Sequence, residues 1–126
     1  MTTIRSYTTI EQSRKLAETL PLESADQSYI RVSIAGDNFN IPEEMQYKHN
    51  GDTPFIFCNG VGIPCWSLAA LIKVLPSIEG FKPVIDLDIN QLRYEGKYRD
   101  ELCFDSENLI DACYEMIIKL HELNLL

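Results

Sequence analysis

Leu109, Cys113, Met116, Ile117, Leu120 and Leu123 recur at helical spacing in the closing segment, while Asp111, Glu115, Lys119 and Glu122 fall on the other side. No other stretch narrows the architecture as far, because an apolar face of that width has to be buried against a core. Asn108, with Asp111 three residues on, predicts the N-cap. Glu115 and Lys119 stand at the i, i+4 spacing at which opposite charges support a helix.

Two further helices are expected. Thr8-Thr9-Ile10-Glu11-Gln12 can form a capping box, either Thr8 with Glu11 or Thr9 with Gln12, opening a helix that runs to about Leu20 before Pro21. Ile10, Leu16, Ala17 and Leu20 give it a narrow stripe and leave Arg14, Lys15 and Glu18 in water. Pro64 predicts a middle helix over about 65–75, with Leu68, Leu71, Ile72 and Leu75 as core face. Trp66, Ala69, Ala70 and Val74 widen that face almost all round, which makes this the most buried helix expected.

Strands fill the intervals. Tyr29 to Ile34 alternates cleanly, Gly36-Asp37-Asn38 marks a turn, and Phe39 with Ile41 starts a return strand that Pro42 confines to a sheet edge. Glu43 to Asp52 is polar enough for a loop or irregular strand. Phe55 to Cys58 is an apolar run ending at Asn59-Gly60, a hairpin signal, with Val61 to Ile63 as the return. Val84 to Ile89 sets Ile85, Leu87 and Ile89 against Val84, Asp86 and Asp88; Leu92 to Glu95 and Lys97 to Phe104 form a hairpin turning at Glu95-Gly96. With 126 residues, 45% of them hydrophobic, the chain can bury a core without a disulfide or metal staple. The expected fold is therefore a single α+β domain, a mainly antiparallel sheet of five to seven strands packed with three helices.

Charge bounds the partners. Eleven Lys and Arg against 19 Asp and Glu leave a net charge of −8, which repels a phosphate backbone, and the basic residues form no run. Nucleic acid is not an expected partner. The first residues lack the pattern of a secretory signal and no apolar run approaches a spanning helix, so a cytoplasmic protein with no membrane segment is expected. Cys58, Cys65, Cys103 and Cys113 then stay reduced; their spacings of 7, 38 and 10 fit neither a CxxC pair nor a zinc frame, and no cofactor is expected.

Four constellations could carry chemistry. Asp86 and Asp88 share a strand face, and Glu95 and Lys97 follow; this set, completed by Glu11 or Glu18, could hold a divalent cation as metal-dependent nucleases do. The same residues also read as a hairpin turn and ordinary outer-face aspartates. Cys65, near the start of the middle helix, could be a reactive thiolate with His49 as partner, or a buried structural thiol beside Trp66. Asn59-Gly60-Val61-Gly62 lacks the frame of a phosphate loop and serves a turn. Among the strand tyrosines Tyr29, Tyr47, Tyr94 and Tyr98, the last two could anchor a partner or pair across their hairpin.

Tyr7-Thr8-Thr9-Ile10-Glu11-Gln12-Ser13, Glu23-Ser24-Ala25-Asp26, Ile63-Pro64-Cys65-Trp66-Ser67-Leu68, Ala70-Leu71, Leu75-Pro76, Asp111-Ala112 and Met116 span most of the chain. Together they give a pattern that resembles a family of short uncharacterised proteins of gut anaerobic bacteria and their phages or mobile elements. The resemblance implies an accessory protein and names no activity. A non-enzymatic protein-interaction role is the leading expectation. The alternatives are an acidic mimic, using Glu43-Glu44, Asp86 with Asp88 and Asp100-Glu101 to occupy a basic nucleic-acid-binding protein, and a metal-dependent hydrolase using Asp86, Asp88, Glu95 and Lys97. A second copy of the chain is the partner expected if a sheet face is left uncovered.

Overall fold

A computed structural model of the chain describes residues 6–30, 46–48 and 62–126. The turn at Gly36-Asp37-Asn38, the return strand of Phe39 and Ile41, the Phe55 to Cys58 run and the Asn59-Gly60 turn lie outside those residues. Residue proximity divides the chain into two compact units, Thr8–Ser67 and one whose body is Leu68–Leu126.

The Thr8–Ser67 unit opens with α1 (Ile10–Thr19). Of the two capping boxes open to the sequence, the Thr9 and Gln12 pair forms: Thr9 Oγ1 accepts from the Gln12 N–H at 3.1 Å and Gln12 Oε1 accepts from the Thr9 N–H at 3.0 Å. Leu16 and Leu20 are buried, Ala17 is exposed, and Arg14, Lys15 and Glu18 face water. A short 3-10 turn at Leu22–Ser24 leads to β1 (Gln27–Ile30), the centre of an antiparallel sheet. Its neighbours are β2 (Gln46–Lys48), within the stretch expected to be loop or irregular strand, and β3 (Gly62–Cys65). Tyr29 pairs with Gln46 on one side and Ile63 on the other.

The middle helix is shorter than the sequence predicts. Pro64 and Cys65 belong to β3, and α2 spans only Leu68–Val74. The backbone of the intervening residues is committed to distant groups: the Trp66 N–H donates to Thr8 Oγ1 at 3.1 Å, and the Ser67 N–H to Asp26 Oδ1 at 2.9 Å. These amides are therefore satisfied without a helical turn. Nor is α2 the most buried helix. Ala70, Leu71 and the following Leu75 are buried, but Ala69, Ile72 and Lys73 are exposed, since α2 packs on one side against α3 (Leu109–Glu122).

In the second unit α3 buries Ile110, Ala112, Cys113, Met116, Ile117 and Leu120, with Leu109 and Leu123 half-buried. Its apolar arc exceeds a single stripe because it packs on α2 and on two strands of a second antiparallel sheet, ordered β4 (Val84–Asp86), β5 (Gln91–Arg93) and β6 (Cys103–Asp105). Asn108 stands at the N-cap, where its carbonyl accepts from the Asp111 N–H at 2.9 Å. At the far end Asn124 takes a left-handed φ of 59°; its N–H bonds the His121 carbonyl and the Leu125 N–H the Leu120 carbonyl. That pair of bonds makes a Schellman cap, a position in which Asn is tolerated.

The α+β class matches expectation, but among the described residues no sheet of five to seven strands forms. The described strands fall into two sheets of three. Pro64, on β3 at the end of the described order of the first sheet, has no N–H to offer a neighbouring strand, and Pro83 immediately precedes β4. The strand expected from Val84 to Ile89 stops at Asp86, whose Oδ1 accepts from the Asp88 N–H at 3.1 Å and draws the chain into a turn over 87–90. The expected turn at Glu95-Gly96 widens into a loop over 94–102, braced by Arg99 N–H to the Gly96 carbonyl and Leu102 N–H to the Tyr98 carbonyl. No helix among the described residues is long and apolar enough to cross a membrane.

Candidate functional site

The second sheet has two unlike faces. Leu92 on β5 and Tyr94 just beyond its end are fully buried, and the Tyr94 hydroxyl donates to the Pro76 carbonyl at 2.7 Å. Gln91 and Arg93 alternate outward. In register, Asp86, Gln91 and Asp105 form one cross-strand row of the outer face, and Val84, Arg93 and Cys103 the next.

Arg93 organises this face. Its Nε donates to Glu95 Oε2 at 2.9 Å, and its Nη1 to Gln91 Oε1 at 3.1 Å and to Asp86 Oδ2 at 3.5 Å. Arg99 Nε lies 3.8 Å from the other Glu95 oxygen. The Arg93 guanidinium hydrogen-bonded to Glu95 holds that carboxyl below the usual carboxylate range, and Glu95 in turn raises Arg93. Gln91 extends the row by donating from Nε2 to Asp105 Oδ1 at 3.0 Å.

Beside this row lies an open depression of about 440 Å³, lined by Asp86, Gln91, Arg93, Arg99 and Asp100, with Ile89 and Cys103 as its less polar walls. Its size falls in the range of small-molecule sites, but those are lined mainly by apolar and aromatic groups. Here four of the seven lining side chains are charged, which suits a small apolar ligand poorly. At its edge the β4–β5 turn projects Leu87, 70% exposed, and Ile89, 55% exposed. Sequence alternation assigns both to the buried strand face together with Ile85; the turn at Asp86 places them in solvent instead.

The other predicted site residues are placed as follows. Asp86 and Glu95 share one guanidinium, Asp88 is exposed in the turn, and Lys97 Nζ sits 5.4 Å from the Tyr98 ring centroid. Among the described residues no three His, Cys, Asp or Glu side chains are grouped to hold a metal ion. Glu11 and Glu18 are exposed on α1, His121 is exposed on α3, and His49 lies outside the described residues. Tyr94 cannot anchor a partner, because its ring is wholly enclosed and its hydroxyl is taken by Pro76; Tyr98 is half-buried.

Cys65 is not at a helix start. It lies on β3 with no exposed surface, its Sγ 3.7 Å from both Oγ1 and the carbonyl oxygen of Thr8, and burial pushes its thiol up to about 12. Burial does the same to Cys113, also pushed up to about 12. A thiol held neutral and enclosed is a packing group rather than a nucleophile. The residues that sequence reasoning assigned to motifs instead form a scaffold. Thr8 Oγ1 meets Ser13 Oγ at 2.7 Å, Trp66 Nε1 donates to Ser24 Oγ at 2.9 Å, and Asp26 accepts from Ser67.

These thiols set an alkaline limit. Both ionise at the ordinary 9.0 when unfolded and at about 12 when folded, so their contribution to stability is complete below pH 9 and is lost as pH rises toward 12. The urea midpoint should fall above pH 9, and Cys113→Ala should flatten that fall; equal slopes for both proteins would show that the thiol is not responsible.

Against protein-family models, curated proteins and solved structures alike, the chain finds no match.

Proposed function

We propose that this protein is a non-enzymatic cytoplasmic accessory protein that works by binding another protein through the β4–β5 turn and the adjoining outer face of the second sheet. The observation that carries the reading is the projection of Leu87 and Ile89 into solvent beside a charged depression. Two exposed aliphatic side chains beside charged groups offer a small apolar centre with polar neighbours, the pattern on which protein interfaces are built. The resemblance to short proteins of gut anaerobes and their mobile elements is in keeping with an accessory role.

Affinity capture with the tagged full chain, beside its Leu87→Ser, Ile89→Ser double variant, tests the reading. A stoichiometric protein partner retained by the parent and lost by the variant is the expected result. A partner held equally by both, or substrate turnover that one polar substitution abolishes, would overturn it. Both positions are exposed, so the variant should stay within about 0.5 kcal/mol of the parent in stability.

A further inference from the structure

The charges around the projecting turn narrow the chemistry of what it binds. The two guanidiniums of the depression are already directed at carboxylates: Arg93 at Glu95 and Asp86, at 2.9 Å and 3.5 Å, and Arg99 at Glu95, at 3.8 Å. Asp88, between the two exposed aliphatics in the chain, and Asp100, in the lining, make no ion pair among the described residues. Turn and depression together carry three carboxylates, Asp86, Asp88 and Asp100, against two guanidiniums, on a chain whose net charge is −8. An acidic partner would meet two unneutralised carboxylates, and the Arg93 guanidinium is already hydrogen-bonded to Glu95, Gln91 and Asp86. A cationic one would meet Asp88 and Asp100 without first breaking an existing pair, and the field of the whole chain would steer it in.

We infer that the β4–β5 turn docks a cationic segment of a partner protein, which lays an aliphatic side chain on Leu87 and Ile89 and directs Lys or Arg toward Asp88 and Asp100. This inference rests on the protein-binding reading above and adds the partner's chemistry to it. The apolar contact supplies affinity at the centre, and the rim carboxylates supply selectivity and speed of encounter.

Two fluorescein-labelled peptides, Lys-Leu-Arg-Ile-Lys and Glu-Leu-Glu-Ile-Glu, titrated against the full chain separate the two claims. The basic peptide should bind about tenfold more tightly than the acidic one at low salt. It should shift the backbone amide resonances of residues 86–91 and 99–103, and lose its advantage at high salt. Asp88→Asn with Asp100→Asn should weaken the basic peptide about fivefold and leave the acidic one unweakened. Leu87→Ser with Ile89→Ser should weaken the basic peptide about tenfold. If both peptides bind equally and both need Leu87 and Ile89, the docking surface stands and the cationic partner is overturned. If neither responds to the Leu87 and Ile89 substitutions, both readings fall.

Discussion

Thr8→Val is expected to destabilise the protein by about 2–4 kcal/mol, a large share of the total stability of a small domain. Valine copies the shape of threonine, so no cavity opens; the whole effect comes from one hydroxyl. That hydroxyl, fully buried, accepts from the Trp66 N–H and is hydrogen-bonded to Ser13 Oγ. Removing it leaves a buried amide and a buried hydroxyl short of a partner, each costing about 1–3 kcal/mol. Thr8→Ser keeps the oxygen and should lose much less. Urea unfolding of the three proteins is the measurement, and a valine variant within about 0.5 kcal/mol of the parent would show that the network is dispensable.

Leu92→Ala should cost about 2–5 kcal/mol, the range for emptying a closed site in a packed core. Leu92 has no exposed surface and lies on the central strand of the second sheet, one of the two strands on which α3 packs. The informative control is Leu87→Ala, only five positions away and 70% exposed, which should change stability by less than about 0.5 kcal/mol. Similar losses at both leucines would mean that the strand continues past Asp86 and that Leu87 is a core residue after all.

That comparison also marks where sequence reasoning stops. Helical periodicity is strong and local, so the first and last helices are readable to within a residue or two, with Asn108 at the expected N-cap position and the choice between the Thr8 and Thr9 capping boxes left to the fold. The alternation from Val84 to Ile89 is just as regular, yet the strand ends halfway. An aspartate that can bond the backbone two residues ahead competes with the ladder, and which side prevails depends on the strand opposite. Tyr94 shows the same limit. A tyrosine on a hairpin suits a surface anchor as well as a core, and only the Pro76 carbonyl, eighteen positions back in the chain, decides for the core.

The candidate site was legible only in fragments. Asp86, Asp88, Glu95 and Lys97 stand out in the sequence as charged residues at suggestive spacing, but Arg93, Gln91 and Arg99, which set the character of the surface, carry no motif. A signal for Arg93 did exist. It stands two residues before Glu95, with Leu92 and Tyr94 alternating against it, so strand periodicity puts both on one face.

Local periodicity, capping chemistry and composition were enough to read the α+β class, two of the three described helices and the negative charge. Long-range contacts were needed to keep Trp66 and Ser67 out of the middle helix, to divide the described strands into two sheets, and to put Leu87 and Ile89 in solvent. In the first case the deciding hydrogen bonds run to Thr8 and Asp26, 58 and 41 positions away. A buried amide takes whichever partner the folded chain brings to it, and no local pattern records which one that will be.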